Sequence, residues 1–249
     1  KPLVRQDVVE CCDSNPEEFS RVSLNPEYLE RFKERIFDGR PIFAGLDVPG
    51  GSEDSLTVLC IGTYLHYGTR NVFTIFYWKK FIGPEAAPET QTREVVRLCR
   101  EWRVSRLAID HGGSFFMHDT LARELGQQRV IKYQYGAPKT RLKWEPNLGR
   151  FMVHRSEVIA CVIAAIKRKQ FMFPRVETFE DFIPDFLSLI TTYNEKTRNT
   201  IYLRNASTPD DAFHALVFCF MGSLIDMPSK DLIMPDQSTS YSETEDYLR

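Results

Sequence analysis

Three runs of hydrophobic residues dominate the first half of the chain, and short polar links separate them. The runs are Ile42 to Val48, Ser55 to Leu65 and Val72 to Phe81, and all are rich in the Val, Ile, Phe, Tyr and Thr that favour strands. Links as short as residues 49–54 and 66–71 suit antiparallel neighbours rather than crossover connections. We therefore predict three strands that pair antiparallel in chain order.

After these strands the apolar residues recur at the spacing of a helix, and then a further strand-like run follows. A helix is predicted from Thr90 to Arg103, because four apolar residues recur on one face: Val95, Leu98, Cys99 and Trp102. The next apolar run, Arg106 to Asp110, reads as a fourth strand. Because a helix precedes it, this strand can lie parallel to the first one.

The rest of the chain continues this alternation. In chain order we predict a helix over Phe115 to Leu125, a fifth strand over Val130 to Tyr135, a basic loop over Gly136 to Gly149, a long helix from about Phe151 to Lys169, a helix over Phe179 to Ile190 broken at Pro184, a hairpin over Thr191 to Arg204 and a last helix starting near Pro209.

These elements predict an α/β fold with a mixed five-stranded sheet flanked by helices and an extra hairpin toward the C-terminal side. Residues 41–227 would form this domain, with strand one in the centre of the sheet. Residues 1–40 are polar apart from a predicted helix over Pro26 to Ile36, and we expect a lead-in from a preceding domain. Residues 228–249 are acidic and rich in Ser and Thr, which is typical of a flexible tail.

Acidic residues stand where these predicted elements end or begin. Asp47 and Asp110 close strands one and four, and the pair Asp210-Asp211 opens the last helix. The carboxyl ends of parallel strands are where open α/β sheets bind ligands. Carboxylates brought together there repel one another unless a cation neutralises them, and hard oxygen ligands favour Mg²⁺ or Mn²⁺. We interpret these four acids as candidate catalytic and metal-binding residues for two ions about 4 Å apart.

Each acid also has a structural alternative. Asp47 and Asp110 precede glycine-rich turns, where Asp is common for local hydrogen bonding. Asp211 fits the third position of a helix with Thr208 as its N-cap and Pro209 as its first residue. The sequence leaves open which of Asp210 and Asp211 would bind metal.

An ordered set of short motifs spans residues 40–226. It consists of Gly45-Leu46-Asp47 with Gly50-Gly51 and Asp54-Ser55, then Ala108-Ile109-Asp110 with Gly112-Gly113 and His118-Asp119-Thr120-Leu121, then Asp210-Asp211-Ala212 with Ala215-Leu216. This set resembles the nuclease domain of the terminase large subunits of tailed bacteriophages. The resemblance implies an RNase H-like fold, related to Holliday-junction resolvases, and a metal-dependent endonuclease that cuts concatemeric viral DNA during genome packaging.

The resemblance also implies partners, and this chain differs from the family pattern at one position. Expected partners are double-stranded DNA, the terminase ATPase domain, the small terminase subunit and the portal, in the cytoplasm of the host cell. The chain lacks the Gly-x-x-x-x-Gly-Lys-Ser/Thr motif of an ATPase, so we expect it to correspond to the nuclease part. Many relatives carry an acid where this chain has His214. The sequence leaves open whether His214 lies near the site or has a packing or surface role, and whether His111 orients a ligand or water or belongs to a turn; Asp54 would stand behind the ligands at most.

Charge is distributed unevenly along the chain. The formal net charge is -2, yet residues 129–175 contain eleven Lys or Arg and two Glu. A basic stretch beside an acidic site suits a polyanionic substrate. Candidates for phosphate contacts, which carry little sequence information, are Lys139, Arg141, Lys143, Arg150 and Arg155, with Trp144 stacking on a base or packing inside the protein.

Composition excludes several other classes. No apolar run approaches the roughly 20 residues of a membrane span, so no membrane partner is expected. The six cysteines lack zinc-site spacing and suit free thiols in a reducing compartment. Two alternatives to the packaging nuclease stay open: a nuclease resembling Holliday-junction resolvases, and a catalytically silent RNase H-like module that docks DNA.

Overall fold

One mixed sheet organises the chain in the computed structural model, which describes residues 2–12, 37, 39–49, 56–67, 69–112, 115–138, 140–195, 199–205 and 207–225. Its strands run in the order β6-β7-β5-β4-β1-β2-β3-β8. Their bounds are β1 Phe43–Asp47, β2 Val58–Tyr67, β3 Arg70–Lys80, β4 Arg106–Asp110, β5 Val130–Gly136, β6 Leu142–Glu145, β7 Arg150–His154 and β8 Phe171–Met172.

Seven described helices and a separate hairpin surround this sheet. The helices are α1 Arg5–Val9, α2 Pro88–Glu101, α3 Phe115–Leu125, α4 Arg155–Lys167, α5 Val176–Phe179, α6 Ile183–Leu187 and α7 Asp211–Leu224. The hairpin pairs β9, Leu189–Asn194, with β10, Asn199–Arg204. Short 3-10 segments cover Gly83–Ala86, Gln127–Arg129 and Glu180–Phe182.

The sheet separates two hydrophobic clusters. Helices α1, α4, α6 and α7 contribute to one cluster, and α2 and α3 contribute to the other. Alternate residues of β1 pack into the two clusters: Phe43 packs into the cluster on the α7 side, whereas Ala44 and Leu46 pack into the cluster on the α2 side. All residues of α7 are buried, because the helix lies between the sheet and the helices α4 and α6.

Helix α7 rests directly on the backbone of β1. A Cβ atom added at Gly45 would lie 2.0 Å from the carbonyl oxygen of Ala215 and 2.4 Å from the backbone nitrogen of Cys219. Any side chain at position 45 would therefore displace the helix. The absence of a side chain at this one position allows α7 to pass over β1 at backbone contact.

The predicted centre of the sheet is confirmed. Strand β1 pairs antiparallel with β2 and parallel with β4, and β2 pairs antiparallel with β3. The prediction of five strands was wrong, because β6, β7 and β8 extend the sheet at its two edges.

Two of the added strands come from a segment predicted as a loop and the start of a long helix. Phe151 and Val153 are buried at alternate positions of β7, which lies parallel to β5, and β6 pairs with β7. Helix α4 consequently begins at Arg155, where the His154 side chain accepts a hydrogen bond from the backbone of Glu157. The apolar residues Phe151 and Val153 fit the helical repeat that follows them, but they belong to the buried strand β7.

Two helix predictions also needed correction. The predicted helix over Phe179 to Ile190 is interrupted: α5 ends at Phe179, a 3-10 segment follows, and Pro184 lies in the first turn of α6. The last helix begins at Asp211 with Asp210 at its N-cap position, so the assignment of Thr208 as N-cap was wrong.

Part of the segment expected to lead into the domain packs into its core. Leu3 and Val8 are fully buried in the cluster on the α7 side, and Cys12 forms a bridge with Phe173 beside β8. The helix expected over Pro26 to Ile36 and the tail 228–249 lie outside the described residues. In the parts of the chain that are described, no helix has the length and apolar character to cross a membrane.

Candidate active site

Asp47 and Asp110 stand side by side at the carboxyl ends of two neighbouring parallel strands. Leu46 of β1 lies opposite Ile109 of β4, so the next pair in the register is Asp47 and Asp110. Parallel strands run about 4.8 Å apart. Because side chains alternate along a strand, Asp47 points to the same side as Gly45, which is the side covered by α7. This is the arrangement that the predicted strand order implies.

Asp211 approaches these two acids from the first turn of α7. Its Oδ2 accepts a hydrogen bond from the backbone nitrogen of Leu56, at 2.8 Å. Burial raises the pKa of Asp47 well above its ordinary value, and the negative charges of Asp211, Asp110 and Asp210 raise it further. The acids therefore lie within one another's electrostatic field.

The other two acids facing this space are also disfavoured in their charged form. Burial raises the pKa of Asp110, and the backbone N–H of Gly112, 3.2 Å from Oδ1, partly offsets this rise. Burial also raises the pKa of Asp211, the Leu56 N–H opposes it, and the charge of Asp210 adds to it. A site in which carboxylates repel one another favours a bound cation.

Asp210 is engaged differently from Asp211. Its Oδ2 lies 3.0 Å from Nε2 of His214, whose Nδ1 lies 2.7 Å from the hydroxyl of Tyr135. These contacts are satisfied together when the Tyr135 hydroxyl donates to His214 and His214 donates to Asp210. Burial alone would raise the pKa of Asp210, but the His214 hydrogen bond and nearby positive charges lower it below its ordinary value.

Tyr135 joins this chain of hydrogen bonds to the acid cluster. Its pKa is raised well above the ordinary value, first by burial and then by the charge of Asp47. The Tyr135 ring also packs against His214 in an edge-to-face arrangement and beneath the guanidinium group of Arg155. His214 is thus buried between Asp210 and Tyr135.

Asp185 is a buried carboxylate of this region that sequence reasoning missed. It is 1% exposed on α6, and its Oδ1 accepts from the Nζ of Lys80 at 2.8 Å. Its Oδ2 accepts from the backbone nitrogen of Ala212 at 2.9 Å. A carboxylate from another helix therefore caps α7, and no local sequence signal links Asp185 to either partner.

The two histidines after β4 stack on each other. The rings of His111 and His118 lie 5.2 Å apart at 12°, and Nε2 of His118 lies 2.7 Å from the carbonyl oxygen of Asp110. Burial lowers the pKa of both imidazoles, that of His118 to about 4. His111 directly follows Asp110 in the chain, and Asp54 lies outside the described residues.

The basic candidates differ in their surroundings. Arg141 lies 3.6 Å from Glu157, and Arg150 forms a 2.9 Å ion pair with Glu145. The guanidinium of Arg155 donates to the carbonyl of Tyr202, Lys143 is exposed on β6, and Lys139 lies outside the described residues. Trp144 packs against Phe151, with ring centroids 4.7 Å apart.

The chemistry of the acid cluster suits a hard divalent cation. Its donors are carboxylate oxygens; burial raises the pKa values of Asp47, Asp110 and Asp211, and neighbouring carboxylates raise those of Asp47 and Asp211 further. Within the described ranges, no three His, Cys, Asp or Glu side chains are arranged closely enough to hold an ion. Ligation would therefore require these side chains to turn toward one another.

No family model matches the chain, and no curated protein matches it by sequence. Among solved structures, the large terminase of bacteriophage HK97 is similar at 10% identity and a TM-score of 0.52, over 88% of this chain and 42% of that one. The chain thus spans less than half of the HK97 protein. This likeness confirms the fold resemblance to a large terminase, and the mixed sheet flanked by helices is the expected RNase H-like fold.

Two nuclease domains are also similar to the chain. That of the bacteriophage SPP1 large terminase, solved with bound Mn, is 14% identical over 86% of this chain and 97% of that one, with a TM-score of 0.48. That of the human cytomegalovirus terminase is 10% identical over 90% and 95% of the two chains, with a TM-score of 0.47.

Proposed function

We propose that the chain is a metal-dependent endonuclease that hydrolyses phosphodiester bonds of double-stranded viral DNA during genome packaging. The observation that carries this proposal is the position of Asp47 and Asp110 on adjacent parallel strands beneath the start of α7, where Asp211 lies. Three buried acids, each with a raised pKa, are poor as structural groups and become suitable cation ligands when their side chains turn toward one another.

Asp47, Asp110 and Asp211 would hold Mg²⁺ or Mn²⁺, and we propose two ions. Ions so held supply an activated water and stabilise the leaving oxygen of the cut bond. Backbone N–H groups of Gly112 and Leu56 fix the carboxylates of Asp110 and Asp211. Asp211 is the better third ligand, because Asp210 is hydrogen-bonded to His214.

The His214 chain would then serve the site indirectly. Because His214 holds Asp210 and is itself held by Tyr135, the first turn of α7 is tied to β5. This tie limits the movement of Asp211, the next residue. His214 therefore stands where an additional acid is expected and supports the ligands without adding a negative charge.

DNA would approach the acids across the basic part of the chain. Phosphate contacts are proposed for Lys139, Arg141, Lys143, Arg150 and Arg155, within the stretch of residues 129–175 that holds eleven basic residues. Arg155 and Arg204 also lie close enough to Asp210 to lower its pKa. Contacts of this kind position the DNA backbone, so cutting should depend little on sequence. An ATPase domain, a small subunit and a portal are proposed as packaging partners.

Nicking of supercoiled plasmid in the presence of Mn²⁺ tests the proposal. Asp110→Asn should reduce the rate at least ~100-fold, about 2.7 kcal/mol in activation free energy. The matched control is Asp119→Asn, which changes a side chain that is 85% exposed on α3 and should leave the rate unchanged. Equal nicking by wild type and Asp110→Asn would exclude the assigned site.

Substrate form separates packaging from junction resolution. A packaging nuclease should cut linear duplex and four-way junction at rates within about tenfold of each other, since it contacts the backbone without requiring a branch. A strong preference for the junction would favour the resolvase alternative. Failure of the wild type to bind Mn²⁺ in calorimetry would favour the silent docking module.

A further inference from the structure

A buried ion pair lies directly behind the acid cluster. Lys80 of β3 and Asp185 of α6 are 2.8 Å apart, with side chains that are 19% and 1% exposed. The Nζ of Lys80 also donates to the carbonyl oxygen of Asp181 at 2.9 Å and lies 5.2 Å from the centre of the Phe182 ring. These contacts fix Lys80, and through it one oxygen of Asp185.

The second oxygen of Asp185 holds the start of α7. It accepts the backbone N–H of Ala212, one of the first N–H groups of the helix, which have no partner within the helix itself. Asp210 occupies the N-cap position but makes no capping hydrogen bond with its side chain. Asp185 therefore performs from a different helix the role that an N-cap side chain performs in most helices.

The group that Asp185 holds is adjacent to Asp211 in the chain. The peptide linking Asp211 to Ala212 carries the hydrogen-bonded N–H, so its orientation also sets the direction of the Cα–Cβ bond of Asp211. The Asp211 carboxylate is fixed at its other end by Leu56. Movement of the Ala212 amide would consequently turn Asp211 away from Asp47.

A carboxylate is an unfavourable group to bury beside other carboxylates without compensation. Burial raises the pKa of Asp185, and the hydrogen bond and positive charge of Lys80 offset part of this rise as long as the two side chains stay in contact. The hydrogen bond to Ala212 requires an acceptor oxygen, which the amide oxygen of Asn also supplies, although more weakly than a carboxylate. Position and charge at residue 185 can therefore be varied separately.

We propose that Asp185, held by Lys80, is a positioning residue of the metal centre that orients Asp211 toward Asp47. This inference rests on the proposed function and adds to it a residue that touches neither metal nor DNA. Supporting residues behind metal ligands typically change metal affinity 10–100-fold when replaced.

Calorimetric titration with Mn²⁺ tests this role in a series of variants of the whole chain. Asp185→Ala removes the acceptor and should weaken Mn²⁺ binding at least ~10-fold. Asp185→Asn keeps an acceptor oxygen for the Ala212 N–H but loses the ion pair with Lys80, so it should bind Mn²⁺ more weakly than wild type and more tightly than Asp185→Ala. Asp185→Glu keeps the charge but displaces the acceptor by one methylene, and it should bind Mn²⁺ more weakly than Asp185→Asn.

The control is Glu180→Gln, which breaks a neighbouring exposed ion pair with Arg5 and should leave Mn²⁺ affinity unchanged. Thermal melting of each variant reports stability, and hydrogen exchange at the Ala212 amide reports the hydrogen bond itself. If Asp185→Ala does not fold, the relative Mn²⁺ affinities of Asp185→Asn and Asp185→Glu still test the positioning role.

The outcomes separate this inference from the proposed function. Weaker Mn²⁺ binding by the Ala and Glu variants than by the Asn variant supports a positioning role. A lowered melting temperature with wild-type Mn²⁺ affinity in all three variants contradicts this role, because Asp185 would then act on stability alone. A wild-type chain that binds no Mn²⁺ contradicts the proposed function and this inference together.

Discussion

The carboxylate of Asp211 accepts a hydrogen bond from the backbone N–H of Leu56, with 2.8 Å between Oδ2 and nitrogen. Leu56 precedes β2 and Asp211 begins α7, so this bond ties the helix to the segment that connects the two central strands. Gly45 lets the same helix lie on the backbone of β1. These two contacts hold an acid from the C-terminal part of the chain close to Asp47.

The burial of the Asp110 carboxyl predicts a pH-dependent difference in stability between wild type and Asp110→Asn without metal. The pKa of Asp110 is raised in the folded state, so its contribution to stability is fully present below the unfolded pKa of about 3.9. That contribution is lost as the pH rises through the folded pKa. In EDTA, the free energy of unfolding of wild type relative to Asp110→Asn should therefore fall as the pH rises above about 4.

Urea unfolding of both proteins at several pH values measures this difference. A relative gain by wild type with rising pH would mean that the folded protein stabilises Asp110 in its charged form, against the effect of burial. The comparison with the variant cancels contributions of other titrating groups, such as Glu94, whose lowered pKa acts in the opposite direction.

Replacing His214 should leave two buried polar groups without their partner. His214→Ala removes the hydrogen bonds to Asp210 and Tyr135, and each group deprived of its partner costs about 1–3 kcal/mol. Tyr135→Phe removes one bond and should cost about 1 kcal/mol. His66→Ala, at an exposed position of β2, is the control and should change stability by less than about 0.5 kcal/mol. Equal unfolding free energies for the two histidine variants would refute the chain of hydrogen bonds.

The contact between α7 and β1 predicts an unusually severe effect of a single methyl group. Gly45→Ala places a Cβ 2.0 Å from a backbone oxygen of α7, and it should destabilise the fold by about 3 kcal/mol or more. Gly222→Ala meets the Cβ of Ala108 at 3.1 Å and gains helix propensity, so it should stay within about 1 kcal/mol of wild type. Chemical denaturation of both variants checks this, and similar losses would argue against the backbone contact.

An exposed base on an edge strand provides a test of DNA binding. Lys143→Ala should weaken binding about equally for all sequences and reduce the salt dependence of the binding constant by about one unit of slope. Arg123→Ala, an exposed position on α3 across the sheet from α7, is the control and should leave the slope unchanged. Binding isotherms at several salt concentrations measure both, and an unchanged slope for Lys143→Ala would remove it from the contact surface.

The adjacency of Asp47 and Asp110 was predictable because it follows from connection lengths. A short link makes β1 and β2 antiparallel, and a helical crossover makes β1 and β4 parallel, so the two strand ends meet. The residues at those ends then lie together whatever the details of side-chain packing. The same reasoning predicts that β1 lies in the centre of the sheet, between β4 and β2.

The missed features depend on contacts between distant parts of the chain. Asp185 acts through Lys80 and Ala212, neither of which is close to it in sequence, so no local pattern distinguishes it from a surface acid. Thr208 is a residue type that is common at N-caps, yet the helix begins at Asp211, and the N–H of Ala212 is bound by the distant Asp185. Strand β7 was hidden because Phe151 and Val153 also fit the helical pattern that follows.

A crystal of the chain soaked in Mn²⁺ tests the central claim most directly. The proposed function predicts anomalous density between the carboxylates of Asp47 and Asp110, with Asp211 as a further ligand and Asp210 still hydrogen-bonded to His214. Absence of density at the carboxyl ends of β1 and β4, at Mn²⁺ concentrations that support nicking, would contradict it.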